Sequence, residues 1–209
     1  MSKFVVSLIL LLLCCLPCVN APAGKYNQVL KIGDAAPAWS QLPGVDDAKH
    51  ALDDLKDKQA VVVVFTCNSC PYAVDVEDRL IALQQDYLQR GVAVVAINVN
   101  KIDDDALPAM KDKAKEKKFP FAYLYDETQA IAKEFGAIYT PELYVLDGKR
   151  RVVYMGALDD SPDGKAVGKS YVRDALDAVL AGKQPSVTET PAVGCRVRYE
   201  RERRTRKAP

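Results

Sequence analysis

Histidine is nearly missing from this chain: His50 is the only one in 209 residues. It lies in the charged stretch Asp46 to Lys58 and reads as a surface residue, so the chemistry does not rest on an imidazole. An excess of one charge is missing too. The net charge is +1, which gives no argument for nucleic acid or an acidic partner. The distribution is uneven, because seven basic residues against Glu200 and Glu202 place +5 on the segment from Arg196 onward and leave about −4 on the rest. Long apolar runs are also lacking. The longest N-terminal run, Phe4 to Leu13, falls short of the roughly 20 residues a membrane span requires.

Preceded by Lys3 and followed by Pro17 and the small-residue stretch Ala21-Pro22-Ala23, that run reads as an export leader over 1–23. Cleavage is expected after Ala23. An uncleaved anchor reaching to Val19 is the alternative. Cys18 raises a lipoprotein reading, but Leu16-Pro17 lacks the small residue expected before a lipidated cysteine. Export to a periplasm or the cell exterior is the expectation, with the membrane touched only through the leader or weakly through the basic end.

Export also changes the cysteine count. Of six cysteines, Cys14, Cys15 and Cys18 leave with the leader, and Cys67, Cys70 and Cys195 remain. Three is too few for a disulfide scaffold and cannot be fully paired within one molecule.

The body of the chain alternates strand and helix patterns. Ala60–Thr66 (AVVVVFT) is a β-branched run suited to a strand buried on both faces, and Val92–Val99 is a second. Between them Val76, Leu80, Leu83 and Tyr87 mark one helix face. Further helices are expected over 107–118, 127–135 and 167–180, with a strand at Phe121–Tyr125. The Asp147-Gly148 turn joins two hairpin strands at 143–146 and 151–155. Trp39 is expected to be a packing anchor. The pattern is α/β with a central mixed sheet, a domain over 26–182, and an extended C-terminal tail over 183–209 that carries Cys195 and the basic end.

Cys67-Asn68-Ser69-Cys70 falls where a buried strand meets a helix. Unpaired N–H groups and the dipole at a helix N-terminus favour a thiolate. Cys67, first and nominally the more exposed, is the expected nucleophile, and Cys70 the thiol that resolves the mixed disulfide. The same spacing is half of a zinc site, but only Cys195 and His50 remain as ligands, so no metal is expected. It also suits a structural bridge, although so small a loop restrains the unfolded chain little. Tyr139-Thr140-Pro141-Glu142 precedes the strand ELYVL. A trans Thr140–Pro141 bond is the statistical default, whereas a cis bond would offer a backbone edge beside the cysteines to a substrate strand. Thr66 and Tyr72 flank the motif. Cys195 is either a third redox thiol, or a stray or intermolecular one.

Together VVFTCNSCP, VAINVN, FPFAYLYDETQAIAKEFGAIYTPELYVLD and Gly194-Cys195 resemble the redoxin branch of the thioredoxin superfamily, grouped with alkyl hydroperoxide reductase/thiol-specific antioxidant domains. The resemblance covers Ile32 to Cys195. It implies a thioredoxin-like fold, a cis bond before Pro141, and an extra helix and strand between Cys70 and Pro141. It also implies a thiol–disulfide oxidoreductase acting on protein thiols and disulfides with a separate redox partner, needing no cofactor beyond the Cys67–Cys70 disulfide. The chain departs from Trp-Cys-Gly-Pro-Cys at Thr66, Asn68 and Ser69. It also lacks the Pro-x-x-x-Thr-x-x-Cys of peroxiredoxins, Thr66 standing four positions before Cys70. A thiol-dependent peroxidase is the enzymatic alternative. A copper-binding module is the third reading, because thiolates suit Cu(I), but copper carriers of this fold add a histidine downstream and none follows His50.

Overall fold

The computed structural model describes residues 23–200. The leader up to Pro22 and the basic end from Arg201 lie outside the described residues.

In chain order the elements are β1 (Leu42–Pro43), β2 (Lys49–His50), β3 (Ala60–Thr66), α1 (Pro71–Tyr87), β4 (Val92–Asn98), α2 (Leu107–Lys117), β5 (Ala122–Tyr125) and α3 (Ala130–Phe135). They continue with β6 (Tyr139–Thr140), β7 (Glu142–Leu146), β8 (Val152–Gly156), α4 (Tyr171–Leu180) and β9 (Cys195–Arg196). The central sheet runs β5-β4-β3-β7-β8. β3 pairs parallel with β4 and antiparallel with β7, which makes the sheet mixed. All seven residues of β3 are buried, as its unbroken apolar run requires of a strand covered on both faces.

Alternate residues of β3 feed two cores. Val61, Val63 and Phe65 pack with Trp39, Leu52 and the α3 residues Ala132 and Phe135. Val62 and Val64 pack with Val76, Leu80 and Leu83 of α1 and Val172 and Leu176 of α4. On the first face Phe65, Phe135 and Tyr144 meet edge-on with ring centroids 5.1–5.7 Å apart, a geometry that adds to their burial. Trp39 is 3% exposed and packs against Phe135, as an anchor should.

Two helices start later than periodicity suggests. Asp126 accepts the amide of Ala132 at 2.9 Å and its own carbonyl accepts that of Gln129, so 126–129 close a turn and α3 begins at Ala130. It ends at Gly136, whose φ of 69° favours a residue without a side chain. Before α4, Asp160 accepts the amides of Gly168 and Lys169, which holds 160–169 as a loop.

The C-terminal stretch is extended, but it returns to the domain instead of leaving it at Gly182. Met155 of β8 donates its amide to the Thr188 carbonyl and accepts that of Thr190, and Val197 donates to the Ile138 carbonyl at 2.8 Å. Val197 is buried in the first core, and the Tyr199 hydroxyl donates to the Ala137 carbonyl. The reason is composition: Val197 and Tyr199 alternate with arginines, apolar toward the core and charged toward solvent. Both margins of the central sheet are therefore crossed by other chain. Gly44 and Val45 bond to β5, while residues 33–36 and 188–190 bond to β8 and its turn.

Candidate active site

Cys67 follows β3 directly, and Cys70 is the N-cap residue of α1, with Pro71 at the first helical position where a missing N–H costs nothing. The Thr140–Pro141 bond is cis. Thr140 ties the site together. Its carbonyl accepts a hydrogen bond from Cys70 Sγ at 3.1 Å, its Oγ1 lies 3.4 Å from Cys67 Sγ, and that hydroxyl faces the Cys195 carbonyl at 3.5 Å. Cys67, Cys70 and Ala73 form a small buried cluster against which Cys195 packs.

Two local expectations change. Cys67 is not the exposed member of the pair: it is 1% exposed and Cys70 2%. The amides at the motif are also not free for a thiolate. Asn68 N and Ser69 N donate to Asp105 Oδ1 at 2.6 and 3.0 Å, and Ser69 Oγ donates to Asp105 Oδ2 at 2.7 Å. Asp105 is fully buried. Asn68 is held in turn by the Tyr123 hydroxyl, which donates to its Oδ1 at 2.8 Å, and by its own amide on the Asp104 carbonyl.

Acidity is therefore set mainly within the pair. The hydrogen bond from Cys67 pushes Cys70 down to about 4, against the effect of burial. The same bond, burial and the negative charge of Asp105 push Cys67 up, out of the ordinary thiol range. The two sulfurs titrate as a unit: one proton leaves early and the second is retained between them. Cys195 is pushed up to about 11 by its hydrogen bond to Cys70, by burial and by charge on Cys70.

The remaining expected residues lie around this centre. Tyr72 is 41% exposed and borders a shallow cleft with Pro141, Leu158 and Val193. Thr66 is buried and lines a small recess with Glu77, Phe119 and Tyr123. A cavity of about 220 Å³ lies behind β6, between Asn27, Tyr139, Glu142, Gly156 and Thr190, and no cysteine lines it. Among the described residues no group of three or more His, Cys, Asp or Glu is arranged to hold a metal ion.

Asp105 and the packing role of Gly194 are not apparent from the sequence. Asp105 is one of three consecutive aspartates, and nothing in the sequence distinguishes it from Asp103 and Asp104. The available signal was position: it follows a central parallel strand at its carboxyl end, where sites in α/β sheets gather. Gly194 has a packing reason. A Cβ there would overlap the Thr140 carbonyl and come within 3.1 Å of the Pro141 nitrogen.

A mixed sheet with a C-x-x-C at the β3–α1 junction and a cis-proline before β7 defines a thioredoxin-fold redoxin. More narrowly, the chain belongs to the AhpC/TSA family, whose model matches residues 32–155. No curated protein matches it. Among solved structures, a hypothetical protein from Sinorhizobium meliloti 1021 is 35% identical, with a TM-score of 0.78 over 83% of this chain and 97% of that one. An uncharacterised conserved protein from Geobacillus kaustophilus is 38% identical, also with a TM-score of 0.78, over 83% of this chain and 94% of that one. Peroxidoxin BcpB from Mycobacterium tuberculosis shares the fold at 20% identity, with a TM-score of 0.55 over 72% of this chain and 94% of its own. The chain is thus an oxidoreductase-type redoxin, of the thiol–disulfide or peroxidase kind.

Proposed function

We propose that the protein is an exported thiol–disulfide oxidoreductase that exchanges disulfides with other proteins through Cys67 and Cys70. The observation that carries this reading is the adjacency of two buried thiols that both touch Thr140, the residue before the cis-proline. In the reduced protein the pair loses its first proton far below the usual thiol range. Transfer of the remaining proton from Cys67 to Cys70 leaves the charge on Cys67, which attacks a substrate disulfide and expels one substrate thiolate. Cys70 then attacks the Cys67 sulfur of the mixed disulfide. The Cys67–Cys70 bond forms and the second substrate thiolate leaves. Thr140 and Pro141 position the substrate backbone, and Tyr72 and Val193 offer it apolar surface at the rim.

Disulfide exchange is favoured over peroxide reduction because the site pairs two thiols in C-x-x-C and lacks the Pro-x-x-x-Thr-x-x-Cys pattern that activates a peroxide. A protein substrate is favoured over a small one because both thiols are buried and no cysteine lines the cavity of about 220 Å³ behind β6. Action outside the cytoplasm rests on the leader pattern of Lys3, Phe4–Leu13 and Ala21-Pro22-Ala23, and N-terminal sequencing of the exported protein tests cleavage after Ala23.

Insulin reduction with single variants is the decisive measurement. Cys67→Ser abolishes turnover, and Cys70→Ser accumulates a mixed disulfide with substrate. Wild-type rates from both variants defeat the mechanism. So does rapid thiol oxidation by peroxide together with negligible disulfide exchange.

A further inference from the structure

The edge beside Pro141 that a substrate strand would use is already occupied. β9 pairs antiparallel with β6, Thr140 opposite Cys195 and Tyr139 opposite Arg196, and the ladder continues in the bond from Val197 N to Ile138 O. Gly194 lets this strand lie flush on Thr140 and Pro141, where any side chain would hold it off. The residue delivered to the thiol cluster by that approach is a cysteine. Backbone pairing in register, with one side chain seated in a pocket, is how an added peptide strand is recognised.

From this geometry we propose that β9 is a built-in substrate strand and that Cys195 is a third redox thiol whose disulfide partner is Cys70. The proposal rests on the disulfide chemistry assigned to Cys67 and Cys70 above. Once Cys67 and Cys70 are joined, the Cys195 thiolate attacks Cys70 Sγ. The Cys70–Cys195 bond forms, the Cys67–Cys70 bond breaks, and its electron pair leaves on Cys67 Sγ, which takes up the proton that Cys195 lost. One disulfide is present before and after, so no oxidant is consumed. Cys70 is the sulfur attacked because its Sγ sits on the Thr140 carbonyl at 3.1 Å, and Thr140 is the residue that β9 places opposite Cys195. The timing also follows from that placement. In the reduced protein the bond to Cys70, burial and the charge on Cys70 all favour the Cys195 thiol, and the two causes that come from Cys70 vanish when Cys70 enters a disulfide, which eases ionisation of Cys195. The exchange returns Cys67 to the free thiol while the oxidising equivalent is stored on the C-terminal strand.

The test oxidises the full mature chain with one equivalent of glutathione disulfide, quenches in acid, alkylates and maps bridges by mass spectrometry after trypsin, which places Cys195 on a peptide separate from Cys67 and Cys70. Wild type yields a fraction with Cys195 bridged to the Cys67/Cys70 peptide. Cys67→Ser closes an intramolecular Cys70–Cys195 bridge on the order of ten times faster than Cys70→Ser closes any bridge, because a thiol already in contact acts at high effective concentration. Cys195→Ser still closes Cys67–Cys70. Recovery of Cys195 as a free or glutathionylated thiol in both wild type and Cys67→Ser overturns the inference, as does a bridge found only between molecules, or faster bridging in Cys70→Ser. Failure of Cys195→Ser to close Cys67–Cys70 is a different result, and it removes the proposed function itself.

Discussion

Asp105 offers the sharpest perturbation of the site, because two substitutions separate its structural from its electrostatic role. The carboxylate accepts from Asn68 N, Ser69 N and Ser69 Oγ while fully buried. Asp105→Ala removes all three acceptors at once. Two backbone amides short of a partner cost about 1–3 kcal/mol each when buried. Solvent reaches Ser69, which puts the total in the lower half of that range, at about 3 kcal/mol. Such a loss is a large share of the ~5–15 kcal/mol that a domain possesses. Asp105→Asn keeps an acceptor for the amides and a group able to meet the Ser69 hydroxyl, so its cost is about 1 kcal/mol. Yet Asn removes the negative charge that helps to push Cys67 up. Alkylation of Cys67 itself by iodoacetamide at pH 7, read on its tryptic peptide, is therefore expected to be on the order of three times faster in the reduced Asn variant than in wild type. Urea unfolding by circular dichroism and alkylation kinetics read the two effects separately. Equal stability of the Ala and Asn variants, or an unchanged alkylation rate in Asn, refutes the reasoning.

Three further outcomes are expected. Because Cys70 is lowered from 9.0 to about 4, the folded reduced protein binds fewer protons than the unfolded chain between those values, so its stability relative to the oxidised form rises with pH there. Above pH 9 the raised Cys67, and Cys195 at about 11, stay protonated while the unfolded thiols ionise, so the trend reverses; urea midpoints of both redox forms at pH 5, 7, 9 and 10 show a maximum near 9 or contradict the shared proton. Gly194→Val lifts β9 from β6 by overlap with Thr140, and alkylation of Cys67 and Cys70 by a bulky maleimide accelerates; a wild-type rate means the strand does not cover the thiols. Phe135→Ala empties the centre of the aromatic group with Trp39, Phe65 and Tyr144 and costs about 3–5 kcal/mol in urea unfolding, whereas a loss under about 1 kcal/mol contradicts the packing described.

The layered fold was legible because its main elements are long and strongly patterned. The valine run of β3 and the four-three-four spacing on α1 admit one reading each. Helix starts were not, because the aspartates at 126 and 160 take backbone groups that periodicity assigns to a helix. At the site, the motif and Pro141 were readable from local context. The capture of the motif amides by Asp105 was not, since it joins residues 36 and 37 positions apart through a turn whose three aspartates look alike. The return of the C-terminal chain was hidden for a related reason. Pro185, Pro191 and the arginines resemble an end in solvent, and the alternation of Val197 and Tyr199 is too short to announce a strand.

The crossed margins of the sheet have a bearing on life among unfolded chains. An oxidoreductase that meets such chains repeatedly exposes itself to strands seeking a partner, and a bare sheet margin invites permanent adhesion. Here Gly44 and Val45 close one margin, and residues 33–36 and 188–190 close the other. The same C-terminal stretch that guards β8 continues to Cys195 on β6. Protection from clumping and control of entry to the sulfurs are thus carried by one continuous length of backbone. On the proposed function, a substrate strand has to compete with that length for the edge at Thr140.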